Sequence, residues 1–226
     1  NFSPAILLQV VSDHGVNSFC APPTVYRFLI REDLSQYDFS QLKHCTTAGE
    51  LLNEGVFHKW KENTGLSIYE GYGQTETCLQ IATFPFMEPK AGSIGKPAPG
   101  WNIELLDEND DPCPNGVEGE ICVSIKDGGP YGLFTGYLQE PEKTAQATRN
   151  GFYRTGDKAW RDEDGYYWYL GRVDDLIKSS GYRIGPFEVE SALITHPAVV
   201  EAAVTAVPDP VRGQIVKATL VISQDY

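Results

Sequence analysis

Basic residues are scarce in this sequence: 18 Lys and Arg stand against 31 Asp and Glu, a formal charge of −13 over 226 residues. Such a surface repels phosphate backbones, so nucleic acid is excluded as an expected partner. It also means that an anionic ligand must be met by cations placed one at a time, because no general positive field gathers it. Long apolar runs are missing too. The longest near the start, Ala5-Ile6-Leu7-Leu8, falls far short of the roughly 20 residues that span a bilayer, and no membrane span is expected. No basic segment leading into an apolar stretch and a small-residue cleavage site opens the chain, so no export signal is expected. The five cysteines (Cys20, Cys45, Cys78, Cys113, Cys122) include no C-x-x-C pair, and the four histidines do not cluster. A zinc site needs clustered ligands. Reduced, mostly buried thiols are expected instead, in the cytoplasm or an organelle matrix of a eukaryote.

What is present, 41% hydrophobic and 22% charged residues, suits a soluble globular chain with one large domain or two smaller ones. Residues 4–14 place Ile6, Leu7, Val10 and Val11 on one helical stripe, ended by His14-Gly15. Pro23 suits an early helical position, in a helix turning Val25, Phe28 and Leu29 inward. Strands are predicted at 42–48 and 67–72, with a helix over 52–63 between them closed near Gly65. Strand, helix, strand at this spacing predicts an α/β fold with a parallel sheet.

After about residue 90, short alternating strands replace the helices, at 102–107, 118–124 and 152–154. Asp162-Glu163-Asp164-Gly165 reads as a hairpin turn. A small antiparallel barrel or sheet is expected over 91–173. A third region, 174–226, holds a helix from Pro186 that ends at His196-Pro197, then strands at 199–207 and 216–222. The expected division is therefore 1–90, 91–173 and 174–226. Neither end reads as the natural edge of a domain, and truncation at both ends is expected.

Four segments combine glycine with hydroxyl and charged residues. Tyr69-Glu70-Gly71-Tyr72-Gly73-Gln74-Thr75-Glu76-Thr77 follows a predicted strand, at the sheet edge where α/β folds bind ligands. Its glycines admit a ligand to the backbone, Thr75 offers a hydroxyl and Glu76 a carboxylate for magnesium. Alone, it reads more readily as a plain Gly-rich loop. In Gly151-Phe152-Tyr153-Arg154-Thr155-Gly156-Asp157, a carboxylate held by a tight turn can accept from both hydroxyls of a ribose, or simply serve the turn. The run from Gly171 to Gly185 sets Arg172, Lys178 and Arg183 around Ser179-Ser180-Gly181. It suits phosphate recognition, or a solvated charged loop. Thr47-Ala48-Gly49-Glu50 ends another strand and borders the same crevice.

Taken together, Tyr-Gly-Gln-Thr-Glu, Tyr-Arg-Thr-Gly-Asp and Gly-Arg-x-Asp-Asp…Gly-Tyr-Arg-Ile, in this order, resemble the core motifs of adenylate-forming enzymes. The Ser-Ser-Gly-Tyr-Arg-Ile-Gly-Pro-Phe-Glu-Val-Glu run is most similar to that of the acetyl- and medium-chain acyl-CoA synthetases. The resemblance implies a large domain of parallel sheet, helices and small β-barrel, followed by a small α+β domain. It implies AMP-forming activation of a carboxylic acid by ATP and transfer to coenzyme A. By similarity, Gly49, Glu50 and the stretch Glu70, Gly71, Tyr72, Gly73 wall the adenine; Gln74 belongs to the same nucleotide site. Thr75 bonds the α-phosphate, Glu76 holds Mg²⁺, Asp157 and Arg172 take the ribose, and Arg183 reaches the phosphates. Ser180, Gly181, Tyr182 and Arg212 line the coenzyme A path, Lys178 serves the second half-reaction, and Asp174 is the hinge. Gly73, where acetate-specific relatives carry tryptophan, implies an acyl pocket open to a medium-chain or other larger acid.

Two departures set limits. No Thr/Ser-Gly-rich phosphate loop ending in Pro-Lys occurs, and the family's late Gly-Lys motif is not reached. The expectation is that this polypeptide alone does not adenylate acids at a useful rate. Alternatives are an acetate-specific synthetase, another adenylating ligase such as a peptide-synthetase domain or luciferase-like enzyme, a non-catalytic nucleotide- or partner-binding module, or an inactive fragment.

Overall fold

The computed structural model describes residues 2–223, so Tyr226 lies outside it. The chain opens with helix α1 (Pro4–Asp13), strand β1 (Ser18–Cys20), α2 (Pro23–Leu29), β2 (His44–Ala48), α3 (Glu54–Thr64), β3 (Ile68–Gln74), β4 (Cys78–Ala82) and the short β5 (Lys96–Pro97). These strands form one sheet in the order β1-β2-β3-β4-β5. The first three run parallel and the last two antiparallel. The parallel α/β expectation therefore holds for the first part.

Local chemistry explains the boundaries. Asn53 caps α3 by accepting from the Gly55 amide at 2.9 Å, and Gly65, at φ +75°, closes it in the left-handed region. Helices α1–α3 and this sheet share a core centred on Trp60 and Tyr26, whose rings meet edge to face at 5.1 Å. The predicted stripe of α1 is rotated from the observed one. Leu8 and Val11 are buried, whereas Ile6 and Val10 are 67% and 44% exposed. In α2, Tyr26 and Leu29 are buried, with Val25 and Phe28 only partly so.

A second sheet, antiparallel throughout, joins β6 (Ile103–Leu106), β7 (Gly119–Ser124), β8 (Phe152–Arg161) and β9 (Tyr167–Arg172); α4 (Pro141–Ala147) precedes β8. Asp162–Gly165 makes the β8–β9 turn, as its sequence predicts, with Gly165 at φ +81°. Strand β8 is much longer than the predicted 152–154, and this corrects the turn expected at Asp157. The Tyr153–Asp157 segment lies inside the strand, kinked at Gly156, where φ is +72°. A core of Ile81, Ile94, Ile121 and Tyr167 connects the two sheets.

The third sheet, ordered β11-β10-β13-β12, comprises β10 (Ile177–Ser179), β11 (Tyr182–Ile184), β12 (Val199–Asp209) and β13 (Gly213–Ile222), with α5 (Pro186–Ile194) between β11 and β12. Strands β12 and β13 extend beyond the predicted segments because ten residue pairs hold one continuous hairpin from Val199↔Ile222 to Asp209↔Gly213. Among the described residues, no helix is long and apolar enough to cross a membrane. All five cysteines are free; Cys45, Cys113 and Cys122 are buried, while Cys20 and Cys78 are exposed.

Candidate functional site

The site is built around one buried carboxylate. Asp157, 3% exposed, accepts at Oδ2 from the Tyr72 hydroxyl and Gln74 Nε2, both at 2.6 Å. At Oδ1 it accepts from the Tyr169 hydroxyl at 2.9 Å, with Arg172 Nη1 3.6 Å away. Strands β3, β8 and β9 thus converge on one group. Register explains this meeting: Asp157 pairs with Arg172 across the β8–β9 ladder. Glu120 of β7 fixes the kink from below, accepting from the Gly156 amide at 3.0 Å, and it also pairs with Arg154 at 2.7 Å. Arg154 is further paired with Asp110.

Two clefts flank this hub. The first, about 200 Å³, is lined by Gly49, Glu50, Leu51, Glu70 through Gly73, Ile94, Asp157 and Tyr169. Whole-ligand pockets usually run to roughly 300–1,000 Å³, so this one accommodates a single ring-sized group. The second, about 510 Å³, is lined by Gln74, Thr75, Glu76, Gly156 and Arg172 together with Lys143, Gln146 and Ala147 of α4.

Glu76 is partly buried and its Oε1 accepts from the Tyr137 hydroxyl at 2.9 Å. The carboxylate keeps acceptor capacity on Oε2. Magnesium is commonly held by one or two carboxylates with substrate phosphates and water, so the residues fit that ion. Thr75 is exposed beside it. Glu50, expected at the adenine, is exposed and accepts from Thr24 Oγ1 at 2.7 Å, with Arg27 at 3.6 Å.

Glu70 is the least ordinary wall residue. It is 5% exposed, and its Oε1 accepts from the Leu52 amide at 3.0 Å. Burial pushes its carboxyl up to about 8, with the Leu52 bond opposing. The folded chain therefore holds this proton to about pH 8, while the unfolded chain releases it near the ordinary 4.5. Between these values the unfolded state binds fewer protons, so stability falls as pH rises through the window. The slope reaches at most about 1.4 kcal/mol per pH unit. Glu70→Gln, neutral throughout, removes this dependence. In urea unfolding between about pH 5 and pH 8, the variant should gain on the wild type steadily as pH rises.

A third cleft of about 490 Å³ holds Lys178 and Arg183 with Glu108 and Glu118. Lys178 and Arg183 are cross-strand neighbours on β10 and β11. Arg183 pairs with Glu108 at 2.8 Å and Glu118 at 3.7 Å, so the structure places it apart from the two clefts at Asp157. Ser180 and Gly181 form the β10–β11 turn, at φ +50° and +86°, and the Ser180 amide donates to the Arg212 carbonyl at 3.0 Å. Exposed Tyr182 stands beside them. The four residues assigned to coenzyme A are therefore brought together. Asp174 sits in the exposed turn joining the second and third sheets, 3.3 Å from Arg172 Nε.

Residues 1–138 match the AMP-binding enzyme family, and residues 188–226 match the AMP-binding enzyme C-terminal domain. This chain belongs to the AMP-binding enzymes. Among its relatives, the mitochondrial acyl-coenzyme A synthetase ACSM3 of Rattus norvegicus is 53% identical over 225 residues, covering 100% of this chain and 39% of the relative. The AMP-binding enzyme described here thus spans well under half the length of that protein. Its fold superposes on the anthranilate CoA ligase AuaEII in complex with anthranoyl-AMP with a TM-score of 0.88 at 34% identity, covering 99% of this chain and 42% of that one. The o-succinylbenzoate CoA synthetase MenE of Bacillus subtilis, in complex with its acyl-adenylate, gives 0.85 at 30% identity, covering 99% and 45%.

Sequence reasoning missed Tyr169, Glu120 and the α4 segment. Strand β9 carries one extra residue between Tyr169 and Gly171, which pair with Ala159 and Lys158 respectively. That bulge breaks the alternation that would have assigned Tyr169 to the Asp157 face. Glu120 lies 36 residues from Gly156, beyond any local pattern.

Proposed function

We propose that this chain is the ribose, adenine and hinge part of an AMP-forming acyl-CoA synthetase that accepts acids larger than acetate. The observation that carries the reading is the buried Asp157 between a ring-sized cleft and the cleft of Thr75 and Glu76. In the first half-reaction a carboxylate oxygen of the acid attacks the α-phosphorus of ATP, and the bond to the β-phosphate breaks as pyrophosphate leaves. In the second, the thiol of coenzyme A attacks the acyl carbonyl carbon and AMP departs.

On this reading Asp157 holds the ribose diol. Its oxygens already accept three hydrogen bonds, so the Tyr72 and Tyr169 hydroxyls yield as the ribose enters. Tyr72 is then released to lie against the adenine. Gly71 and Gly73 wall the base, and Arg172 supports the ribose. Thr75 donates to the α-phosphate, where its hydroxyl steadies charge developing on the oxygens. Glu76 supplies the carboxylate for Mg²⁺, which would neutralise phosphate charge. Rotation at Asp174, the turn between sheets, carries Arg183 from Glu108 towards the phosphates, while Ser180, Gly181, Tyr182 and Arg212 guide coenzyme A and Lys178 acts in thioester formation. We place the domain boundaries near residues 90 and 173. The ACSM relatives' mitochondrial designation supports an organelle matrix for a eukaryotic owner.

The test uses the full-length protein carrying this chain, with a panel of acids from acetate to octanoate and benzoate. Pyrophosphate release should depend on an acid larger than acetate, and acyl product should require free coenzyme A. Release driven best by acetate would overturn the assignment of acid. Product formed without coenzyme A would place the protein among other adenylating ligases.

A further inference from the structure

With a charge of −13, the chain has few cations to offer a polyphosphate, and the second cleft shows where they stand. Four line it: Arg172, Arg154, Lys143 and Arg149. Two are committed elsewhere. Arg154 is paired with Asp110 and Glu120, and Arg172 lies between Asp157 and Asp174. The others are available. Among the described residues Arg149 donates only to the Gln146 carbonyl, at 3.0 Å, and makes no ion pair, the nearby Glu120 charge acting on it at longer range. Lys143 has one ion-pair partner among the described residues, Glu140 at 3.3 Å, with both side chains more than half exposed, a pairing that ligand phosphate displaces at little cost.

These two cations are carried by an arm fastened to the catalytic loop. The Phe134 amide donates to the Glu76 carbonyl at 2.7 Å, and the Tyr137 hydroxyl to the Glu76 carboxylate at 2.9 Å. Lys143 Nζ rests 4.5 Å from the centre of the Tyr137 ring. Thr144 ties the helix to the same loop by accepting from the Tyr137 amide at 2.9 Å, and Gly136, at φ +144°, leaves room for that approach. Phe134 packs edge to face on Tyr153 at 5.4 Å. The arm is thus fixed relative to Thr75 and Glu76 by backbone, hydroxyl and aromatic contacts. Most of it falls between the two matched spans, 1–138 and 188–226.

We propose that Lys143 and Arg149 bind the pyrophosphate half of ATP, with Tyr137 a positioning residue that aims Glu76 and seats Lys143. The inference rests on the acyl-adenylating reading above and adds the residues that receive the leaving group. The occupant is an inorganic polyphosphate, because the cleft offers separated cations and a hydroxyl rather than an apolar wall. A lysine supplies a point charge and an arginine a planar fork of donors, and both suit phosphate oxygens.

The experiment titrates magnesium pyrophosphate, and separately AMP, into the full-length protein by calorimetry. Wild type is compared with Lys143→Ala, Arg149→Ala, the double variant and the remote control Lys59→Ala. Loss of one charged hydrogen bond to phosphate predicts roughly tenfold weaker pyrophosphate binding for each single variant, and more for the pair. AMP affinity should stay within about twofold, which also reports that the fold is intact. Tyr137→Phe should raise the magnesium concentration needed for half-maximal pyrophosphate binding. Unchanged pyrophosphate affinity in the double variant overturns the inference. So does an equal loss in Lys59→Ala, which would mark a general charge effect, or loss of AMP binding together with pyrophosphate. A wild type that binds neither ligand overturns the functional reading itself, and this inference with it.

Discussion

Asp157→Ala is expected to cost the fold about 3 kcal/mol, because the part-buried Tyr72 and Tyr169 hydroxyls lose their acceptor and Gln74 keeps only its bond to the Thr155 carbonyl. Tyr72, Tyr169 and Gln74 all donate to this carboxylate, and Arg172 loses an ionic neighbour. Water does not replace the lost acceptor easily at a position 3% exposed. Asp157→Asn separates structure from binding. Its carbonyl can take the place of Oδ2, and its amide can donate to Tyr169, whose hydroxyl rotates to accept. The fold should then lose only about 1 kcal/mol. A ribose diol, by contrast, loses a charged acceptor for two hydroxyls, and AMP affinity should fall by roughly a hundredfold. Urea unfolding and AMP titration of the two variants would show the divergence.

Gly73→Ala should be more damaging than its single methyl suggests. A Cβ built at Gly73 lies 1.5 Å from the Cys78 carbonyl oxygen and 2.6 Å from its carbon, both backbone atoms. The strands converge here because the β3–β4 register shifts between Tyr72 and Gly73. Thr77 Oγ1 also accepts from the Gln74 amide at 2.9 Å, so the loop carrying Thr75 and Glu76 cannot move aside independently. Overpacking commonly costs about 1–3 kcal/mol, and a clash with backbone should reach or exceed the top of that range. The alanine variant should unfold at markedly lower urea and lose activity towards every acid in the panel. A mere shift in preference towards shorter acids, at unchanged stability, would contradict this. A tryptophan at this position therefore needs a different chain path between 73 and 79.

The features legible from sequence were those with local causes. Asn53 and Gly65 mark α3, Pro23 opens α2, and Asp162–Gly165 turns a hairpin, each through the chemistry of one or two residues. The motif glycines and carboxylates also pointed to one nucleotide site, and Gly71, Gly73, Gln74, Asp157 and Arg172 do meet. Features set by distant partners were hidden. Helix α1 is apolar at Ile6, Leu7, Leu8, Val10 and Val11, so its pattern fits more than one face, and packing decides in favour of Leu8 and Val11. Asp157 read as a turn residue because Gly156 precedes it, yet β7 and β9 extend the strand through it. The raised pKa of Glu70 arises from burial under neighbours that no nearby residue announces.

The central claim is that Asp157 recognises a ribose. Affinity for AMP and for 2′,3′-dideoxy-AMP, measured on the full-length protein and on its Asp157→Asn variant, tests it most directly. The account predicts that wild type binds AMP at least tenfold more tightly than the dideoxy analogue, through charged hydrogen bonds to the diol, and that the variant binds both alike. Equal binding of the two nucleotides by the wild type would contradict it.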